Sequence, residues 1–351
     1  ESTNDAHFAA LQPDALVFLD TETTGLATGT GTFVFMVGVG RYDGDSLLVT
    51  QFFMRDPSEE LAMLHALERY VADREPAQCG LVTFNGKGFD VPMLDARYIA
   101  SQFIMDRCES PLAPLAHLDL LQLARRLWRE RLTSRSLGSL EEHILRFRRT
   151  EEDIPGWLIP TLYFDYLREG DARPLKGVFY HNAMDILSMA ALLDHIAGLL
   201  ADPLCDRVHP LDLVGMGKIV EHAGDSEKAA RLYGEGLARV LPPEVHEKTV
   251  KRLSFMHKRQ GNIVLAIQLW QEAANQGQLY AHVELAKFYE HQARDYPQAI
   301  RWTEMAIALL DDPKNIAQAV GSWLPDLQHR LSRLQGKLSR HQRTESNESG
   351  P

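Results

Sequence analysis

Three stretches of the chain carry acidic side chains where an acid needs a partner. In Leu19-Asp20-Thr21-Glu22-Thr23-Thr24-Gly25-Leu26 two carboxylates stand two residues apart. On a strand that spacing projects Asp20 and Glu22 from one face, and two carboxylates on one face repel unless a cation sits between them. In Asn85-Gly86-Lys87-Gly88-Phe89-Asp90-Val91-Pro92, Asp90 stands at a helix start, where it can cap the helix or reach toward a metal. In Tyr180-His181-Asn182-Ala183-Met184-Asp185-Ile186, Asp185 interrupts an apolar helical face. Such an acid needs a cation or a donor, unless the helix turns it to solvent. Each stretch alone has a plain structural reading: a strand end, a cap, a solvated face.

The elements that must position these acids follow from patterning. Ala15 to Leu19 is an unbroken apolar run, short enough for a strand buried on both faces, and Asp20 and Glu22 come as it ends. Phe33 to Val39 and Leu47 to Met54 predict two more strands joined through the turn Asp43-Gly44-Asp45. Pro57-Ser58-Glu59-Glu60 opens a helix with Ser58 as its cap, and Leu61, Leu64, Leu67 and Val71 form its apolar stripe. Leu81 to Phe84 predicts a short strand, then a loop and a helix from about Val91 to Gln102. His117 to Leu121 predicts a last strand that runs into an arginine-rich helix, and Met184 to Leu200 predicts a helix. Three strands in hairpin order, then helices alternating with strands, is the order of an α/β ribonuclease-H-like mixed sheet with flanking helices.

Beyond residue 205 the strand signals stop. Three similar turns precede Ala229, Ala266 and Ala299, which lie 37 and then 33 residues apart. A repeat near 34 residues with a small residue one turn into its second helix points to an all-α domain of tetratricopeptide-like hairpins; an irregular helical bundle is the alternative. The stretch 339–351 is polar and predicts a disordered tail.

In order and spacing, DTETTGL, NGKGFD and YHNAMD resemble the three motifs of the DEDD superfamily of 3′–5′ exonucleases. SLGSLEEH, EEDIPGW and YHNAMDILSMAALL resemble the bacterial YprB-like ribonuclease-H-like subgroup. The resemblance covers roughly residues 12–200. It implies an exonuclease domain over 12–203, leaving the repeats as a domain over 205–338, and two divalent ions, Mg²⁺ or Mn²⁺, held by Asp20, Glu22, Asp90 and Asp185. Hard carboxylate oxygens suit those ions, and an ion pair can clamp the attacking and leaving oxygens of phosphodiester hydrolysis. The superfamily places a Tyr four residues before the last Asp or a His five before it; here His181 is four before Asp185 and Tyr180 five before. A spacing of four puts His181 on the face of Asp185, and imidazole titrates near neutral pH. His181 is therefore favoured over Tyr180 as the group that positions or deprotonates water. The same swap also suits a slow enzyme or a pseudoenzyme. By the resemblance Thr23, Thr24 and Leu26 contact the terminal nucleotide, Leu26 wedging against the last base, with Asn85 a polar contact to the strand. His117 and Asp119 are expected to be structural.

Composition bounds the reading. The 351 residues suggest two domains, and 45% apolar with 24% charged residues describes a soluble globular chain. Ser188 to Leu200 is interrupted by Asp194 and His195 and is too short to span a bilayer. No secretory leader pattern opens the sequence. Cys79, Cys108 and Cys205 form no CxxC pair, which fits a reducing cytoplasm. The net charge of −11 lies in residues 1–200, with 18 Lys+Arg against 29 Asp+Glu. Such a chain is not a general polyanion binder; nucleic acid would need a basic patch or bound cations. Between Arg125 and Arg149 eight arginines face only Glu130, Glu141 and Glu142, with Trp128 and Phe147 interleaved. Arg146, Arg148 and Arg149 are candidates to hold phosphates, with the aromatics free to stack bases; solvated helix faces are the equal alternative. Gly25 to Gly31 do not form a strand-to-helix GxGxxG pattern, which leaves a nucleotide cofactor unsupported.

The expectation is a divalent-metal-dependent 3′–5′ exonuclease acting on single-stranded DNA or RNA in the cytoplasm, away from membranes. A protein partner would be taken by the repeats. The alternatives are a nuclease-like scaffold acting through its repeats, or a structure-specific endonuclease on the same fold.

Overall fold

The computed structural model describes residues 11–25, 31–72, 79–105, 110–150, 152–311 and 323–348. The chain forms two compact units, one through Cys205 and one from Asp206.

The first unit is built on a five-stranded sheet in the order β3-β2-β1-β4-β5. Its strands are β1 (Leu16–Thr23), β2 (Val34–Asp43), β3 (Ser46–Phe53), β4 (Gly80–Thr83) and β5 (Ala116–Asp119). β1, β2 and β3 form an antiparallel meander, and β4 and β5 run parallel to β1. The β2–β3 hairpin closes through Gly44 and Asp45, Gly44 having a φ of +57° that suits glycine. β1 is central and covered on both faces, which is why its apolar run is continuous. It runs on through Asp20 and Glu22 to Thr23 instead of ending before them.

Helices flank the sheet: α1 (Glu60–Ala72), α2 (Asp90–Met105), α3 (Leu120–Leu127), α4 (Leu137–Leu140), α5 (Ile159–Glu169) and α6 (Lys176–Ala201). The cap before α1 is Asp56, whose carboxylate accepts from Ser58 N–H at 2.9 Å, and not Ser58. Pro57 occupies the first position of the turn, so the cap falls one residue before it. The buried face of α1 is Met63, Leu64, Leu67 and Val71, with Leu61 only half-buried.

α6 begins eight residues before the expected Met184, so the whole third acidic stretch is helical. Its length and apolar composition would allow it to cross a membrane. It lies instead on β1, β2 and β3, burying Val178, Asn182, Ile186, Met189 and Leu192. Two glycines of β2 let it come close. A Cβ on Gly38 would stand 2.1 Å from Asn182 Oδ1, and one on Gly40 would stand 2.4 Å from the Ile186 side chain. The alternating glycines of β2 thus receive positions i and i+4 of one helix face.

The second unit is all-helical: α7 (Pro210–His222), α8 (Ser226–Ala238), α9 (Pro243–Arg259), α10 (Ile263–Asn275), α11 (Leu279–His291), α12 (Tyr296–Asp311) and α13 (Trp323–Glu348). α7–α8, α9–α10 and α11–α12 pack as hairpins, and Ala229, Ala266 and Ala299 are fully buried. Gly224 and Gly261 turn the first two hairpins at φ +94° and +79°, and Arg294 takes the corresponding left-handed turn in the third. The tail expected to be disordered from 339 is helical as far as Glu348. The preceding turns of α13 are fastened: Leu327 and Leu334 are buried, and the fully buried Glu290 carboxylate accepts from Arg330, Arg333 and Lys337 at 2.8–2.9 Å.

Candidate active site

β1 is the switch point of the sheet, antiparallel to β2 on one side and parallel to β4 on the other. Ligands of open α/β sheets bind where strand order reverses, outside the carboxyl ends of the strands. β1 stays paired with β4 only to Phe18↔Val82, while β1 itself continues to Thr23. Beyond that point β4 leaves through Asn85, whose φ of +68° is left-handed. Gly86 follows because a Cβ there would meet the Thr83 side chain at 2.5 Å. The Asp119 carboxylate holds this loop by accepting from Asn85 N–H at 2.9 Å and Lys87 N–H at 3.3 Å. The crevice so opened receives Asp90 from the start of α2 and Asp185 from the middle of α6.

Burial raises all four acids, and the charges of their neighbours add to it most at Asp20 and Glu22. Burial raises the Asp20 carboxyl well above the usual range, and the charges of Asp185, Asp90 and Glu22 raise it further. Burial likewise raises Glu22, with Asp185 and Asp90 adding to it and Arg149 opposing. Asp90 is pushed up to about 6 by burial, against hydrogen bonds from Thr21. Asp185 is raised by burial, against the opposing charges of Arg149 and His181.

Each carboxylate except Glu22 already has a polar partner. Asp90 Oδ1 accepts from Thr21 N–H at 3.1 Å and Thr21 Oγ1 at 2.5 Å. Asp20 Oδ2 accepts from Asn182 Nδ2 at 2.9 Å, and Asn182 Oδ1 in turn accepts from Gln51 Nε2 at 3.0 Å. Asp185 pairs with Arg149, which also grips the buried Glu141 in a fork. Glu22 Oε1 is buried with no hydrogen-bond partner. As the side chains stand, no three His, Cys, Asp or Glu among the described residues are grouped tightly enough to hold a metal. Arg149 supplies compensating positive charge at Asp185, Thr21 holds Asp90 and Asn182 holds Asp20.

His181 and Asp185 share one face of α6, with Nε2 3.7 Å from Asp185 Oδ2. His181 Nδ1 lies 2.8 Å from Asp153 Oδ1. Arg149 Nη1 lies 3.3 Å from the same nitrogen, so Nδ1 meets both an acceptor and a donor; in the neutral ring that donates to Asp153, Nε2 keeps the lone pair. Tyr180 points elsewhere, its hydroxyl accepting from Thr150 N–H at 3.2 Å. A cleft of about 540 Å³ opens beside His181 and Asp185, lined also by Phe147, Arg148, Arg149 and Gly156.

The structure divides the remaining candidates. The Thr23 hydroxyl donates to Gly25 O at 2.7 Å, and the Thr24 hydroxyl accepts from Phe33 N–H at 2.9 Å, so both close the loop after β1. Leu26 lies outside the described residues. Asn85 is exposed at the mouth of the crevice. Arg146 is exposed at a left-handed φ of +55°, and Arg148 is exposed and paired with Glu142 at 2.5 Å. Arg149 is 10% exposed and committed to carboxylates, so the three arginines are not one phosphate patch. Trp128 is fully buried and cannot stack a base, whereas Phe147 reaches the cleft. His117 bonds Thr83 Oγ1 at 2.8 Å and is pushed down to about 4 by burial, a neutral structural residue.

Sequence reasoning passed over Asn182, Asp153, Thr21 and Glu141. Asn182 and Asp153 stand inside motifs already singled out. The alternating glycines of Val37-Gly38-Val39-Gly40 were the available signal for close approach of a helix.

Comparison with known proteins agrees with this fold. The profile of the RNase_H superfamily matches residues 17–197. The uncharacterised protein YprB of Bacillus subtilis (strain 168) is 33% identical over 300 residues, covering 84% of this chain and 69% of that protein.

Proposed function

The chain belongs to the RNase_H superfamily, and on that premise we propose that it is a divalent-metal-dependent 3′–5′ exonuclease acting on single-stranded nucleic acid. The observation that carries this reading is the group of four acids, Glu22 and Asp90 buried and Asp20 and Asp185 half-buried, whose ionisation burial opposes, with Glu22 Oε1 left without a partner. An orphaned buried oxygen among hard anionic donors fits a dication. Asp20, Glu22, Asp90 and Asp185 would hold two Mg²⁺ or Mn²⁺ ions. Bound, the ions supply Lewis-acid stabilisation of the attacking and leaving oxygens and countercharge for the phosphate.

The protein's own groups do the rest. Asp153 fixes the His181 tautomer through Nδ1, so Nε2 can accept a proton from water or hold that water in line. Asn182 orients Asp20 from the α6 side, and Thr21 orients Asp90. Phe147 in the cleft wall offers a face for a terminal base, and the exposed Arg148 offers a charge for its phosphate. The dispersed cysteines, Cys79 and Cys205 being free thiols, support a cytoplasmic setting.

For the second unit we infer tetratricopeptide-type hairpins that take a protein partner. The buried alanines at 37- and 33-residue spacing support it.

The test is an oligonucleotide labelled at its 5′ end, with its 3′ end free or blocked, incubated with Mn²⁺. A ladder from the free end alone is expected, and Asp20→Asn should abolish it with the fold intact. Internal cuts would favour an endonuclease. No product from well-folded protein would favour a scaffold.

A further inference from the structure

A second cleft, of about 580 Å³, lies at the exit of β4 and is lined by Phe84, Asn85, Arg125, Thr133, Ser134, Arg135 and Ser136, among others. Leu137 lines this cleft and the one beside His181, so the two are neighbours. Their chemistry differs. The wall beside His181 includes Glu141, Glu142, Asp153 and Asp185, whereas the residues lining the second cleft include no carboxylate.

In a half-chain that carries 29 acids against 18 bases, a cleft with two arginines, three hydroxyl side chains and an amide is a local reversal of field. Arg125 is exposed on α3, and no carboxylate among the described residues pairs with it. Arg135 is steadied by carbonyls, Nη1 donating to Leu132 O at 2.8 Å and Thr133 O at 2.9 Å, so its charge is not neutralised. Asp119, at the end of β5, spends its oxygens on the N–H groups of Asn85, Lys87 and Leu121.

We propose that this cleft binds backbone phosphates of a single-stranded polynucleotide upstream of the nucleotide at the acids, with Arg125 and Arg135 as the charge-bearing contacts. It rests on the nuclease reading for the identity of the strand. The strand would run from the cleft beside His181, past Leu137, to the arginines. Unpaired guanidinium groups suit phosphate oxygens, and hydroxyl donors complete the contacts without sequence preference.

The experiment is fluorescence anisotropy of 5′-fluorescein oligothymidylates of about 2 and about 15 nucleotides, lengths that bracket common single-strand site sizes. It is run with Ca²⁺ across a salt series, on the full chain. For the longer probe, Arg125→Ala should lower the slope of log K against log salt by about 0.7, and Arg125→Ala with Arg135→Ala by about 1.4. The short probe should bind parent and variants alike. Equal slopes for parent and variants, no binding of the longer probe by the parent, or equal losses for both lengths would each overturn the proposal. Arg125 is exposed, so its single variant keeps the test sound should the partly buried Arg135 prove needed for folding. Hydrolysis is followed separately on unlabelled strand with Mn²⁺. An arginine-dependent slope without products would uphold the cleft and overturn the nuclease reading; products with an unaltered slope would do the reverse.

Discussion

Asp90→Asn should stabilise the metal-free protein at neutral pH while removing its activity. Asp90 is buried, and its carboxyl is raised from 3.8 to about 6, chiefly by burial. A folded-state value above the unfolded one means that ionisation opposes folding. The penalty is absent below about pH 4, grows up to about pH 6, and stays full above it, at about 3 kcal/mol. Asparagine removes the charge and can keep its Oδ1 toward Thr21 N–H and Oγ1. Neutral hydrogen bonds are weaker than charge-assisted ones by roughly 1 kcal/mol here, which leaves a net gain of about 2 kcal/mol. For a unit of this size the melting temperature should rise by roughly 4–8 °C. Calorimetry in EDTA at about pH 7.5 reads the gain, and the gain should shrink at about pH 5, where the parent Asp90 is largely protonated. Saturating Mg²⁺ should raise the parent's melting temperature more than the variant's, because binding to the folded state alone stabilises it. A variant no more stable than the parent in EDTA at neutral pH would refute the claim that the buried Asp90 charge opposes folding.

Other substitutions test other parts of the site. His181→Ala should lower kcat by about a hundredfold or more, while Tyr180→Phe should change it by only a few-fold, since that hydroxyl meets only the Thr150 backbone; steady-state rates at saturating oligonucleotide decide, and the reverse order would reassign the base. Gly38→Ala should cost about 1–3 kcal/mol in denaturant unfolding, because its Cβ would collide with Asn182 and lift α6 from β2; an unchanged midpoint would show that the helix has slack. Arg149→Gln should leave Asp185 without its counter-charge and make the melting temperature in EDTA fall more steeply as pH rises; a parallel fall in both proteins would remove Arg149 from the electrostatic account.

The acidic residues were legible because strand and helix periodicity fix where a carboxylate points before any tertiary contact is known. Asp20 and Glu22 stand two residues apart inside β1, the spacing that puts both on one face of a strand, and His181 and Asp185 share a face of α6. The mixed sheet was legible from the hairpin signal at Gly44 and the later alternation of strands with helices, though its strand order was not. Contacts that cross elements were not. The buried pairing of Arg149 with Glu141 depends on a π-helical turn over Glu141–Leu145 and a left-handed Arg146, neither of which has a simple periodic signature. Trp128 and Phe147 are both aromatic neighbours of arginines, and only packing separates the buried ring from the one in the cleft. The polarity of 339–351 concealed the last turns of α13, because a helix fastened through Glu290 on its preceding turns can carry a solvated extension.

The central claim is that Asp20, Glu22, Asp90 and Asp185 together bind divalent cations. The direct measurement is anomalous diffraction at the manganese edge from crystals soaked in Mn²⁺. The account predicts two anomalous peaks among those four carboxylates, with Arg149 withdrawn from Asp185. A fully soaked crystal with no peak there, and the Arg149–Asp185 pair intact, would contradict it.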